Sequence, residues 1–240
     1  MGDKELKITC YADDAVLIAE NEDDLQRLLH EFNTIAQSLG MVISTSKTKC
    51  MTTSKIPLRC KLVVDGSIIQ QVMKFDYLGI EISSFGEIET EVRIQVVKAT
   101  RAAAQLNDTI FRNKHLRIDT KSRIYKATIR PILTYAAETR PETSKTRQLM
   151  EAVEMKIIRR ITGKSLWDRQ RSEALRRTCQ IDNINDWVLG RKIQWNDHIT
   201  RMTGDRIVKI ARDRSPLGKR SPGRPRKRWA DDIPTRSELR

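Results

Sequence analysis

Leu6-Lys7-Ile8-Thr9-Cys10-Tyr11-Ala12-Asp13-Asp14-Ala15-Val16-Leu17-Ile18-Ala19 is the stretch whose reading decides the fold. Partial alternation from Leu6 to Tyr11 and a short apolar run from Ala15 to Ala19 predict two strands joined as a β-hairpin. Asp is among the few residues that tolerate a left-handed backbone, so a pair of them at the tip suits a tight turn on structural grounds alone. The pair also has a chemical reading. Adjacent carboxylates repel unless a cation lies between them, and a hard cation such as Mg2+ prefers such oxygens while using phosphates for its remaining ligands. That is the donor set of metal-dependent phosphoryl transfer. Taken alone the tetrapeptide is explained by its turn; the downstream sequence tips the balance toward chemistry.

Beyond the hairpin, Asn21 can cap a helix whose first turn holds Glu22, Asp23 and Asp24, where negative charge favours the helix dipole. Leu25, Leu28, Leu29, Phe32, Ile35, Ala36 and Leu39 repeat at helical spacing until Gly40, and the face of the hairpin is the simplest thing for this helix to cover. Met41-Val42-Ile43 reads as a strand, followed by a polar loop carrying Lys47 and Lys49 and a short strand at Cys50-Met51. Three more strands are expected over 61–64, 67–72 and 75–82, the first two turned at Asp65-Gly66. Ser84 and Glu87 fit a capping box, after which the composition turns helical. One helix carries Ile88, Val92, Val96, Ala99, Ala103, Leu106 and Ile110. A second spans about 119 to 138 with Pro131 predicting a kink or break, and a third runs from Thr143 to Gly163. Further helices are expected over 167–178 and 183–202, and the Pro-, Gly- and basic-rich stretch from Ser215 to Trp229 predicts no stable helix.

The 240 residues can bury a real core, mostly aliphatic since aromatics are 5%. Residues 1–90 carry 9 Lys and Arg against 14 Asp and Glu, whereas residues 91–240 carry 36 against 17, a surplus of +19 within an overall +14. A basic segment so polarised points to a polyanion, with nucleic acid first. No run approaches the ~20 apolar residues that cross a bilayer, and no apolar region with a cleavage site opens the chain, so no membrane partner is expected. Cys10, Cys50, Cys60 and Cys179 show no zinc spacing and read as buried thiols in a reducing compartment. The histidines are scattered and read as structural.

In this order the pieces resemble the C-terminal part of a non-LTR (LINE-like) retrotransposon reverse transcriptase. Tyr11-Ala12-Asp13-Asp14 is similar to its catalytic hairpin, Leu39 to Lys49 to the helix, strand and loop after it, and Phe75-Asp76-Tyr77-Leu78-Gly79 to the primer-grip hairpin. Trp195, His198, Arg201 and Met202, then Gly223 through Asp232, resemble the closing Trp-x-x-His-x-x-Arg-Met and Gly-Arg-Pro to Trp-x-Asp-Asp segments of such elements. Ala136 and Arg140 depart from the family's Tyr-Gly-Ala-Glu-Thr-Trp stretch, which has Gly and Trp there, and Asp197 stands where Gly is common.

The resemblance implies an α+β fold: a partial polymerase palm over 1–83 (hairpin, helix and short antiparallel strands), a helical thumb-like bundle over 84–163, a helical region over 164–214 and a basic, partly disordered tail over 215–240. It implies Asp13 and Asp14 as catalytic metal ligands for Mg2+, Tyr11, Ala12, Lys47 and Lys49 near the nucleotide, and Phe75, Tyr77, Leu78 and Gly79 in the primer grip. Only ten residues precede Tyr11, so the family's earlier palm Asp and its fingers are not expected within this chain. The expectation is a transposon-derived fragment that binds RNA or DNA without complete catalysis. Two alternatives stand beside it: an active polymerase, should another polypeptide supply the missing palm and fingers, and a relic without function. Lys219, Arg220, Arg224, Arg226, Lys227 and Arg228 form the nucleic-acid-binding tail, readable as an AT-hook, a nuclear signal or a solvated tail. Localisation is expected to be nuclear or cytoplasmic, with the basic tail favouring the nucleus.

Overall fold

The computed structural model describes residues 6–54, 58–214, 223 and 227–234. The chain divides into two units, Met1–Glu87 and Ile88–Arg240.

The first unit opens with the expected hairpin. Strand β1 (Ile8–Tyr11) pairs antiparallel with β2 (Asp14–Leu17), with Tyr11 opposite Asp14, so the turn is Ala12-Asp13 rather than the two aspartates. Ala12 takes the left-handed conformation at φ +53. Helix α1 (Glu22–Ser38) starts as the sequence dictates: Asn21 Oδ1 accepts from Asp24 N at 2.8 Å, and the acidic first turn comes directly after it. Its partner differs from the expectation. Leu25 and Leu29 pack with Ile43, Cys50, Cys60, Leu62, Val64 and Ile69, and only Leu17 of the hairpin joins them, while Ile35 and Leu39 stay exposed.

The short strands β3 (Lys49–Cys50), β4 (Val63–Val64), β5 (Ser67–Ile68) and β6 (Gln70–Gln71) form two-residue ladders. Val64-Asp65-Gly66-Ser67 makes the tight turn read from the sequence, with both central residues at positive φ. The β4–β5 hairpin brings the chain back so that β6 runs parallel to β3, not antiparallel as expected. Helix α1 satisfies the edge of β4 as a neighbouring strand would: Gln26 Oε1 accepts from Val63 N at 2.8 Å and Gln26 Nε2 donates to Val63 O at 2.9 Å. Asn33 Nδ2 donates to Asp65 Oδ1 at 2.9 Å beyond it. Two further expectations fail. Met41-Val42-Ile43 pairs with no strand among the described residues, and 75–82 is a hairpin, β7 (Lys74–Tyr77) against β8 (Ile80–Ser83). Three of the cysteines are buried as read from the sequence, but Cys10 is exposed on β1. Burial, with Cys60 beside it, pushes the Cys50 thiol up to about 12.

In the second unit, α2 (Ile88–Gln105), α3 (Ile118–Ile124), α4 (Arg130–Leu133), α5 (Ser144–Thr162), α6 (Ser172–Cys179) and α7 (Ile184–Arg201) close on one core. Val92, Ala99 and Ala103 of α2 meet Ile157, Ile158 and Ile161 of α5 and Ile184 and Val188 of α7, so the apolar core continues past Gly163 without a break. The Ser84–Glu87 capping box is displaced by one residue: Ser83 Oγ accepts from Glu87 N at 2.9 Å. The predicted break near Pro131 is a π turn at Tyr125–Ile129, just before it. Pro131 has no N–H for the Ala127 carbonyl and its ring crowds that carbonyl, so the preceding turn widens. Helix α5 is bounded as predicted, with Thr143 Oγ1 accepting from Thr146 N at 3.2 Å and Gly163 at φ +67. The helix expected over 167–178 begins only at Ser172, and 164–171 is an exposed loop.

Buried charge ties these helices together. Glu154 of α5, 0% exposed, accepts from Arg176 of α6 at 3.0 and 3.1 Å, from the Ile184 N–H that starts α7 at 3.3 Å, and from the Tyr125 hydroxyl at 3.4 Å. Arg140 lies 2.6 Å from Glu91 and 3.5 Å from Glu142, and its guanidinium touches Met150 Sδ. Burial raises the carboxyls of Glu91, Glu142 and Glu154 above the usual range, against the pull of these arginines.

Both a strained corner and a buried carboxylate of this unit can be tested by unfolding. Ala136 sits at φ +52, where a Cβ costs ~1–2 kcal/mol, so Ala136→Gly is expected to raise the urea unfolding free energy by about 0.5–1 kcal/mol once the looser unfolded chain is allowed for. For Glu154, a folded pKa above the unfolded value means its contribution is complete below the unfolded value and fades as pH rises through the folded one. The stability deficit of Glu154→Gln, read by urea unfolding across that window, should therefore shrink as pH is raised from the ordinary glutamate range toward neutrality. A deficit that widens would mean the carboxyl is held down instead.

Candidate functional site

Asp13 and Asp14 stand where the hairpin turn leaves them, both exposed, at the end of a two-stranded ladder whose β1 residues are exposed throughout. Tyr11 is 65% exposed and Ala12 holds the strained corner. Among the described residues no three His, Cys, Asp or Glu side chains come together as a metal-binding group. Two neighbouring carboxylates suit one hard cation that takes its other ligands from water or phosphate, but they do not make the paired-ion clamp of phosphoryl transfer.

The other residues singled out in the first unit fall at two places. Lys47 is exposed on a turn closed by Lys47 N to Ser44 O at 3.1 Å. Lys49 is half-buried and committed to structure, its Nζ donating to Ser46 O at 2.9 Å and Gln70 Oε1 at 2.7 Å. Phe75 and Tyr77 lie half-buried on β7, and Leu78-Gly79 forms the turn of that hairpin at φ +50 and +80. A leucine at positive φ is strained, and such strain persists only where the surrounding structure enforces it.

In the second unit, Lys219, Arg220, Arg224 and Arg226 lie outside the described residues; Lys227 and Arg228 are described. Lys227 serves the fold. Its Nζ pairs with Asp232, whose side chain is 1% exposed and also accepts from Lys192 Nζ at 2.8 Å, Arg147 Nη2 at 3.1 Å and Glu142 N at 2.6 Å. Trp229 Nε1 donates to Glu138 O at 2.6 Å alongside. Burial opposes the charge on Asp232, yet Lys192, Lys227 and the Glu142 N–H outweigh it and hold the carboxyl below its usual value. Burial likewise pulls the Lys192 ammonium down despite Asp232. The four-residue Trp229–Asp232 turn thus clasps the C-terminal segment onto α5 and α7. From the sequence, Trp229 and Asp232 are no more than the end of a resemblance. Their signal is a Trp and two Asp in a basic run, uninformative without Lys192 beside them.

Helix α8 (Ile207–Asp213) is docked in the same manner. Lys209 Nζ donates to Thr200 O and Met202 O, and Arg212 to Asn196 and Thr200, so these cations close the C-terminal end of α7 where carbonyls are left open. Trp195 and His198 stack at 5.5 Å on that helix.

The carboxylate hairpin, the second strained hairpin and the basic helical unit can be set beside known proteins. Residues 2–82 match the family Reverse transcriptase (RNA-dependent DNA polymerase). Over most of its length the chain is similar to transposon-derived proteins and, within them, to the reverse transcriptases of LINE-like elements. It is 25% identical over 234 residues to a transposon-derived protein of Caenorhabditis elegans, covering 93% of this chain and 82% of that relative. It is also 25% identical over 179 residues to the RNA-directed DNA polymerase from the mobile element jockey of Drosophila funebris, covering 71% of this chain and 20% of that polymerase. No solved structure matches the chain.

The clasp yields a direct test. Asp232→Asn leaves Lys192 buried without its counter-charge and should cost about 3 kcal/mol or more in urea unfolding. Trypsin cleavage after Lys227 and Arg228 should accelerate in the variant under native conditions; an unchanged cleavage rate would mean the clasp is open already.

Proposed function

We propose that this chain is a nucleic-acid-binding remnant of a non-LTR reverse transcriptase that does not polymerise by itself. The observation that carries the reading is charge: residues 91–240 hold 36 Lys and Arg against 17 Asp and Glu. A surplus of this size attracts a phosphate backbone without regard to sequence. In this reading residues 1–83 are a partial palm, 84–163 a thumb, 164–214 its helical continuation and 215–240 a basic tail that also favours the nucleus. The lack of independent catalysis is argued from the donor set. Asp13 and Asp14 are exposed with no third acidic partner among the described residues, and Mg2+ held by them alone has no second ion to stabilise a leaving oxygen.

A second reading has one observation in its favour. The family match over residues 2–82 includes the carboxylate hairpin, so a polypeptide supplying further palm and fingers would make the chain part of an active RNA-directed DNA polymerase.

Purified chain with a primed template, Mg2+ and deoxynucleotides should give no incorporation above that of Asp13→Ala/Asp14→Ala; incorporation dependent on the aspartates would sink the first reading. Binding to labelled duplex DNA should weaken roughly fortyfold between about 50 and 200 mM salt, and binding to single-stranded RNA or DNA roughly twentyfold, as expected when about 3 phosphates are neutralised. Absence of binding at low salt would leave a relic.

A further inference from the structure

The loop between α5 and α6 carries the feature that the rest of the structure leaves unused. Trp167 is 93% exposed and its neighbour Leu166 74%, although both belong to a hydrogen-bonded turn. The chain's other tryptophans are all engaged: Trp187 lies under the Arg130 guanidinium, 3.7 Å from its ring centre, Trp195 stacks on His198, and Trp229 donates to Glu138. Exposure of an indole forfeits the burial energy that normally draws it into a core. The turn holds it out. Arg169 N donates to Leu166 O at 3.2 Å, and Asp168 Oδ2 accepts from Ser165 N at 2.7 Å and Ser165 Oγ at 2.8 Å, which places Trp167 at the corner. Around it the loop is basic. Lys164, Arg169 and Arg171 are exposed; the one loop carboxylate, Asp168, is engaged by Ser165 and lies at the 4.0 Å limit of a loose, solvent-exposed pair with Lys164, and Arg177 on α6 is exposed in a similarly loose pair with Glu173 at 3.9 Å.

We propose that Trp167 is a base-stacking platform for single-stranded nucleic acid, with Lys164, Arg169 and Arg171 receiving the flanking phosphates. This rests on the nucleic-acid-binding reading above and adds to it a strand preference and a residue. An indole face accepts any base and a guanidinium any phosphate, so the loop selects for unpaired bases rather than for sequence. A duplex keeps its bases within the stack and offers this loop only backbone. A preformed corner lowers the ordering cost that a floppy tryptophan would meet on binding.

The test uses the full chain and fluorescence anisotropy of labelled thymidine and uridine oligomers, with a blunt duplex of equal length as the comparison. Trp167→Ala should lose roughly tenfold or more in affinity for the single strands, as removal of one stacked base does, and little for the duplex. Trp167→Phe should recover most of the loss, and the slope of affinity against salt should stay as in the wild type, since no phosphate contact is removed. Circular dichroism of both variants should match the wild type, the side chain having no packing to lose. Equal single-strand affinity in Trp167→Ala overturns the assignment while leaving general binding intact. Equal losses on single strand and duplex do the same. A Trp167→Ala change in oligomeric state by size-exclusion chromatography without a change in affinity makes the loop a protein contact instead. Failure of the wild type to bind any of the probes removes both readings.

Discussion

Glu154 brings a carboxylate to the centre of the helical unit, and three other pieces of chain are arranged around it. Arg176 crosses from α6, the Ile184 N–H opens α7, and the Tyr125 hydroxyl reaches in from the π turn. A buried carboxylate without partners would be costly enough to expel or neutralise, so the position of α6 and the starting register of α7 result from satisfying it. It also explains the π turn. Tyr125 is 0% exposed, and the extra residue in that turn lets its ring enter the core while Pro131, with no N–H to donate, continues into α4. Apolar packing of Ile157, Ile158 and Ile161 supplies the bulk of the stabilisation; the carboxylate decides which arrangement that packing takes.

The same logic accounts for Arg140 and leaves Ala136 outside it. An arginine without partners would be expelled from this interior, yet Arg140 is buried because Glu91 and Glu142 face it. Glu142 in turn lies beside Lys192 and Asp232, so Arg140 belongs to a chain of alternating charges that ends at the C-terminal clasp. Ala136 has no such compensation. Its left-handed backbone remains strained.

What can be read from the sequence is local. Asn21, Thr143 and Gly163 announce their helix ends through bonds three or four residues away, and Asp65-Gly66 announces its turn through backbone preference; all four stand as read. The hairpin at Asp13-Asp14 is legible for the same reason, with an error of one residue in the turn because Asp14 has the option of pairing with Tyr11. What fails is nonlocal. Nothing in the apolar stripe of α1 names its partner, so the nearby hairpin is the default, and the parallel β3–β6 ladder depends on an intervening hairpin that reverses the chain. Trp167 reads as helical because its neighbours suit a helix; the Ser165–Asp168 turn wins there by satisfying the backbone after Gly163. Asp232 pairs with residues 40 and 90 positions away, beyond any window in which spacing carries information.

The buried pairs also change what the surplus charge means. Arg140, Arg176 and Lys192 are enclosed with carboxylates, Arg147 and Lys227 are drawn to Asp232, and Lys209 and Arg212 close the end of α7. These cations hold the fold and release few counterions when a polyanion approaches. The surplus over residues 91–240 therefore overstates the number of phosphates the unit can neutralise, and a modest salt dependence is the physical expectation despite the high net charge. Affinity beyond this electrostatic part then has to come from contacts that are not ionic. In the described structure the side chain best placed to provide one is the exposed indole of Trp167, so under the proposed reading any preference for unpaired strands rests on stacking at that position and not on charge.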